Sequence, residues 1–354
     1  MATLLYRLGK ASYHRWGRVI LAWVVALLAV LGAGLTVGGQ TEEAFEIPGS
    51  ESQEAFERLE AVFPSFAGAS AQVVLVAPEG ERLDSPANTA VIRELARTIE
   101  SQEGVENVTT PFDEFAGEAL SDNGRYAYIQ VGFAMSSPEV SDEMIETLFS
   151  TRSIAESAGL TIEYGGAMFQ DQVVGLTYHE LLGVVFAALV LIVTFRSLRP
   201  AWMPLASAIV GVGIAVGAIL VAALGFTISS SAPLLAVMLG LAVGIDYSLF
   251  ILSRHRDQLA RGDDPAESAA TAVGTAGNAV VFAGITVIIA LLGLFLVGIP
   301  FLSVMGASAA GAVAIAIVAA ITLLPALMGI MGEKLRPQPG SGAAKLALAG
   351  SNKP

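Results

Sequence analysis

Cysteine is absent from the 354-residue chain. Disulfides, thiolate nucleophiles and cysteine-based metal sites are therefore excluded. Charge is scarce as well: 14% of residues are Asp, Glu, Lys or Arg, against about 25% in an average soluble protein. Only three histidines occur, with no His-Glu-x-x-His pattern and no Gly-x-x-x-x-Gly-Lys-[Ser/Thr] loop. A zincin-type site and a nucleotide-phosphate loop both need those residues. The net charge of −13 offers no basic face for a phosphate backbone, so nucleic acid is not expected as a partner. What the chain has in abundance is apolar: 54% of residues are hydrophobic, and 37 are glycine. This is the composition of a polytopic membrane protein. Neither enzymatic activity nor a cofactor is expected.

Six runs approach the roughly 20 apolar residues that cross a hydrocarbon core of ~30 Å. They are Val19–Val37, Leu181–Phe195, Met203–Leu224, Pro233–Leu252, Val280–Val297 and Phe301–Ile330. The last is long enough to tilt, or to break near Gly311 or Pro325. The first exceeds a secretory signal core of about 7–15 residues and lacks a clear small-residue cleavage site, so a retained span is expected. Of the 19 basic residues, 13 fall on one side if the six spans alternate. The positive-inside rule makes that side cytoplasmic, with both termini inside. His179-Glu180, at the outer start of the second span, reads as an interfacial anchor.

The expected division follows: a cytoplasmic N-terminus (1–18), a first span (19–38), an extracytoplasmic domain (39–178), a five-span bundle (179–332) and a flexible cytoplasmic tail (333–354). From Gly38 to Tyr178 there are 6 basic and 25 acidic residues, so nearly all the acidity belongs to the external domain. Strand-like runs occur at Gln72–Ala77, Val105–Thr109, Arg125–Ala134 and Leu160–Tyr164. Helical patterns start at Asp84-Ser85-Pro86 and at Ser137-Pro138-Glu139. The order β-α-β-β-α-β predicts a ferredoxin-like α/β module, with one additional helix, Glu51–Val62, leading into it. No nucleophile–base pair is visible there, and a passage or docking surface is the expected use.

One ionisable residue lies well inside a span. Asp246, in Gly244-Ile245-Asp246-Tyr247-Ser248, sits ~20 Å along a helix that rises 1.5 Å per residue from Pro233. An Asp at a helix centre costs about 2.5–3.5 kcal/mol on insertion scales. Two roles fit it: a proton carrier, the expected one, or interhelical glue. On a helical wheel Gly240, Gly244, Tyr247 and Ile251 share a face, with Asp246 about 100° from Tyr247. Gly240 and Gly244 permit a close helix crossing. In the fifth span Thr271, Thr275, Asn278 and Thr286 fall within an arc of about 80° and supply polar support. Asp264-Pro265-x-Glu267 caps that helix.

Residues 244–254 (GIDYSLFILSR) and 276–287 (AGNAVVFAGITV) closely resemble the MMPL family of the resistance-nodulation-division (RND) superfamily. The layout also matches: one span, a large porter-like external domain, then five spans of sterol-sensing type. The resemblance implies export of lipids or other hydrophobic molecules, driven by the proton-motive force across a bacterial cell membrane. Asp246 and Tyr247 match the family's proton-relay pair. Ala283 departs from a serine common in relatives. A full member has two such halves, so a second half is an expected partner, as a homo-oligomer or as a C-terminal portion. Two other functions are compatible with the layout: an accessory role in protein translocation, and a non-transporting lipid sensor or scaffold.

Overall fold

A computed structural model describes residues 1–39, 41, 50–52, 54, 55, 58, 69–114, 116–134, 140–166, 169, 178–338, 340, 342 and 344. The chain divides into two compact units, Met1–Ile47 with Val173–Pro354, and Pro48–Gln172.

The second unit is built on a four-stranded sheet: β1 (Ser70–Val76), β2 (Val105–Thr109), β3 (Tyr126–Phe133) and β4 (Thr161–Gly165). Strand order is β2-β3-β1-β4, and every neighbouring pair is antiparallel. Alternation decides which face is covered. Ala71, Val73 and Leu75 of β1 lie opposite Val131, Ile129 and Ala127 of β3, and all six are buried. Ile92, Leu95 and Ile99 of α3 (Pro86–Glu100) join them in one core. Ser85 caps α3 by accepting the Asn88 N–H at 3.3 Å, with Pro86 in the first turn, as the Asp84-Ser85-Pro86 pattern predicts. The second helical pattern splits. α4 (Asp142–Ser150) is capped by Ser141 and gives way at Thr151 to a short α5 (Arg152–Ser157). Ser137–Glu139 and most of the expected helix at 51–62 lie outside the described residues.

The other unit is helical: α1 (Ala2–His14), α2 (Trp16–Val37), α6 (Tyr178–Phe195), α7 (Leu198–Ala222), α8 (Ser231–Arg261), α9 (Pro265–Leu292) and α10 (Pro300–Met331). Among the described residues, five stretches are long and apolar enough to cross a membrane: Trp16–Val37, Leu198–Ala222, Ser231–Arg261, Pro265–Val297 and Pro300–Leu335. α6 carries a shorter apolar stretch, Leu181–Phe195. Several helices outrun their hydropathy-defined spans. α9 begins at Pro265, where Asp264 Oδ1 accepts the N–H groups of Ala266 and Glu267, both at 3.0 Å. Capping, not hydropathy, sets that start. α10 runs unbroken through Gly311 and Pro325 and forms the centre of the bundle. Its buried residues include Ala309, Ala312, Ala316, Ala319, Ala320 and Ala326. Small side chains let neighbouring backbones come close.

α1 was not anticipated; the sequence reading treats 1–18 as a plain terminus. Leu5, Gly9 and Ser12 are buried on one face, and a Cβ at Gly9 would lie 2.8 Å from Val273 Cβ of α9. Lys10 pairs with Glu267 at 2.9 Å, and the Tyr6 hydroxyl donates to the same carboxylate. That pairing holds the Lys10 ammonium above its ordinary range. A 13-residue helix is too short for a hydropathy scan to register; the spacing of Leu5, Gly9 and Ser12 is the signal that reveals it.

One close helix crossing joins α2 to α7. A Cβ on Gly217 would stand 2.6 Å from Leu31 Cα, and one on Gly34 would stand 2.8 Å from Gly217 O. Gly217→Leu should force these backbones apart at a cost of roughly 1–3 kcal/mol or more, the usual penalty of overpacking. A lowered thermal unfolding midpoint of detergent-solubilised protein checks it, with the exposed-face control Ala218→Leu nearly unchanged.

Candidate functional site on α8 and α9

The two faces of α8 differ sharply. Ala232, Ala236, Gly240, Gly244, Ser248, Ile251, Leu252, His255 and Leu259 are buried. Leu234, Met238, Ala242, Asp246, Phe250 and Arg254 recur every four residues along the exposed face. Gly240 sets the first face against Val212 of α7, 2.8 Å from a would-be Cβ, and against Ala312 of α10 at 3.7 Å. Gly244 meets Ala208 Cβ at 3.0 Å and Ala316 Cβ at 3.8 Å. The close crossing of the glycine pair is thus used within the chain, away from the surface that carries Asp246.

Asp246 follows Gly244 by two residues, about 200° around a helix, and is exposed on the opposite side. Among the described residues it makes no hydrogen bond or ion pair. Tyr247 turns a further 100° or so and is half-buried. A Cβ at Gly284 of α9 would lie 3.4 Å from Tyr247 Cε2, so the ring faces α9, not the surface that carries Asp246. Ile251 lies level with Gly277, which fixes the antiparallel alignment of α8 and α9.

The polar residues expected to assist are divided. Asn278 Oδ1 is buried without a hydrogen-bond partner, as is Ser248 Oγ. Thr286 and Thr275 are exposed, and their hydroxyls donate back to Phe282 O at 3.0 Å and Thr271 O at 2.7 Å. Neither Asn278 nor Thr286 is hydrogen-bonded to Asp246. Ala283 is also exposed, so the missing serine leaves a methyl group on the open side of α9.

Two clefts flank the Asp246 stripe. One, of about 370 Å³, lies between α6 and α8, among Gly183, Ala187, Met238, Leu241, Ala242 and Ile245. Its lining carries no polar side chain. The other, of about 360 Å³, lies between α8 and α9 toward the basic end, among Phe250, Ser253, Arg254, Asp257, Thr275 and Ala279. No group of three or more His, Asp or Glu among the described residues is placed to hold a metal ion.

The basic end of α8 holds a network of buried polar contacts. Arg256 is 7% exposed. Its Nη1 donates to Phe195 O at 3.1 Å, its Nε reaches Leu335 O at 3.5 Å, and its guanidinium lies 5.2 Å from the centre of the Phe195 ring. It thus ties α8 to the end of α6 and to the turn after α10. Arg336 returns the contact. It donates to the carbonyls of Leu259 and Asp263 and grips Glu333 with both forks, at 2.7 and 3.0 Å. His255 is fully buried. Ser268 Oγ donates to His255 O at 2.9 Å, so it accepts from His255 Nδ1–H at 2.8 Å. That geometry selects the Nδ1–H tautomer. The sequence signal was the phase: His255 and Leu259 continue the buried spacing of Leu252.

Removing the buried guanidinium leaves two carbonyls without their donor, a loss of about 1.5–3 kcal/mol for charged hydrogen bonds. Arg256→Gln should lower the unfolding midpoint in detergent, and Arg256→Lys should lower it less.

The MMPL family model matches residues 44–345. Membrane protein YdfJ of Bacillus subtilis is 36% identical over 96% of this chain and 46% of its own length. The heme uptake protein MmpL11 of Mycobacterium tuberculosis H37Rv is 30% identical over 89% of this chain and 33% of its own. The mycolic acid-containing lipids exporter MmpL11 of Mycolicibacterium smegmatis is 28% identical over 90% and 34%. The chain therefore spans half or less of the curated relatives it matches. It is a membrane protein, and it belongs to the MMPL family.

Proposed function

We propose that the chain is one half of a proton-driven transporter that exports lipids or other large hydrophobic molecules across a bacterial cell membrane. In this reading Asp246 takes up and releases the proton, and Tyr247 orients it. The observation that carries the reading is a carboxylate without a partner, set on an otherwise apolar helix surface. A charged Asp against lipid is costly. The cost falls when the group is protonated or when a second half covers it. A second copy of this chain or a C-terminal half is the partner we infer. Two relatives, a mycolic acid-containing lipids exporter and a heme uptake protein, support hydrophobic cargo; the outward direction is our inference.

The remaining architecture fits that role. α6 serves as the sixth span, and the four-stranded unit serves as a ferredoxin-like porter domain outside the membrane. The basic residues before α2, between α6 and α7, after α8 and after α10 mark the cytoplasmic side, by the positive-inside rule. The same assignment puts both termini in the cytoplasm.

Asp246→Asn keeps size and hydrogen bonding but removes the titratable proton. In a strain lacking the native gene it should leave the envelope-lipid profile as deletion leaves it, with protein abundance and unfolding midpoint unchanged. Full restoration by Asp246→Asn would overturn the relay. Tyr247→Phe should restore partially, because Tyr247 orients the relay and does not carry its charge.

A further inference from the structure

The exposed stripe of α8 changes its chemistry at Asp246. Toward one end lie Ala242, Met238 and Leu234, beside the cleft with no polar lining. Toward the basic end Phe250 comes first, one turn or ~6 Å below Asp246. Beyond it the cleft of about 360 Å³ presents Ser253, Arg254 and Asp257 on α8 and Thr275 on α9. The α9 wall is small and uncharged, Ala276 and Ala279 beside Thr275. The charged groups that act on the Asp257 carboxylate are Arg261, Arg254 and Arg256, all on α8.

A carboxylate that exchanges protons needs an aqueous route to at least one side of the membrane. Of the two clefts, only the one toward the basic side has polar side chains in its lining. The geometry points to this α8–α9 cleft as the water-filled path through which Asp246 exchanges its proton with the basic side of the membrane, with Phe250 as the gate and Asp257 as the proton-collecting group at the mouth. The inference rests on reading Asp246 as a proton carrier. It adds a direction: access from the basic side is built into this half, whereas the stripe on the other side of Asp246 supplies no polar group. Phe250 is 54% exposed, so its ring can swing without disturbing the core beneath it.

The natural absence of cysteine makes the test direct. Single substitutions Thr275→Cys, Ala279→Cys, Ala283→Cys and Ala242→Cys are introduced into the full chain in inverted membrane vesicles. A membrane-impermeant cationic methanethiosulfonate is then added from the basic side. Thr275→Cys and Ala279→Cys should react readily, Ala283→Cys slowly and Ala242→Cys not at all. Adding Phe250→Ala should raise the Ala283→Cys rate several-fold. Unreactive Ala279→Cys, or no effect of Phe250→Ala, overturns the path and leaves the relay standing. Protonation of Asp246 is followed separately by its infrared carboxyl band after a pH jump. Asp257→Asn should slow that band's rise about tenfold without moving its midpoint, and Asp257→Glu should restore it. An unchanged rate overturns the role of Asp257. If no band that is lost in Asp246→Asn titrates, the relay falls and the path's purpose falls with it.

Discussion

The rotation of α8 about its own axis is the constraint on which the site depends. Gly240 and Gly244 fit only where Ala208 and Val212 of α7 and Ala312 and Ala316 of α10 come close. Dispersion contacts fall steeply with separation, so a helix with two glycines on one side has one well-packed orientation. Helical geometry then leaves no freedom for Asp246, which must point away from the bundle centre. Its exposure is a consequence of how tightly the opposite side is packed. The alanine-rich α10 performs the same service for the whole unit, offering backbone-close contact on several sides.

Polar interactions concentrate where the apolar bundle ends. Arg256, Arg336, His255 and Ser268 satisfy carbonyls and one another at the basic end of α8. Glu267 receives Lys10 and Tyr6 of α1 at the start of α9. A buried guanidinium is stable there because it has carbonyl acceptors and an aromatic face, not a counter-ion. These contacts join α1, α6, α8, α9 and the turn after α10 into a shared end-plate. Ser248 Oγ and Asn278 Oδ1 within the bundle are buried without partners, as are His255 Nε2 and Gln258 Oε1 at the basic end.

Much of this was readable one residue at a time. Hydropathy located the apolar middles of the long helices, because burial in hydrocarbon is a property of length and composition, but not their ends: α9 starts at Pro265, well before Val280. Ser85-Pro86 and Asp264-Pro265 marked their helix starts correctly, since a cap depends on its own next three residues. Strand positions in the four-stranded unit followed from alternation and turn residues. Asp246 stood out because a charge in an apolar run is conspicuous without any fold.

Other features depended on neighbours distant in sequence. The wheel placed Gly244 and Asp246 on different sides of α8, but which side would be covered was settled by α7 and α10. In the sequence Arg256 counts only toward the basic side of the membrane; Phe195 and Leu335 make it structural, and Ser268 does the same for His255. Asn278 and Thr286 shared an arc on paper, yet one turned inward and the other outward. α1 carried its apolar residues on too short a helix to announce itself, and docking on Val273 and Gly274 gave it a place. Local sequence determines whether a segment is helix, strand or span, because hydrogen bonding, capping and solvent transfer act within a few residues. Facing and partnership were decided by the tertiary structure, because packing is a relation between surfaces that the chain brings together only when folded.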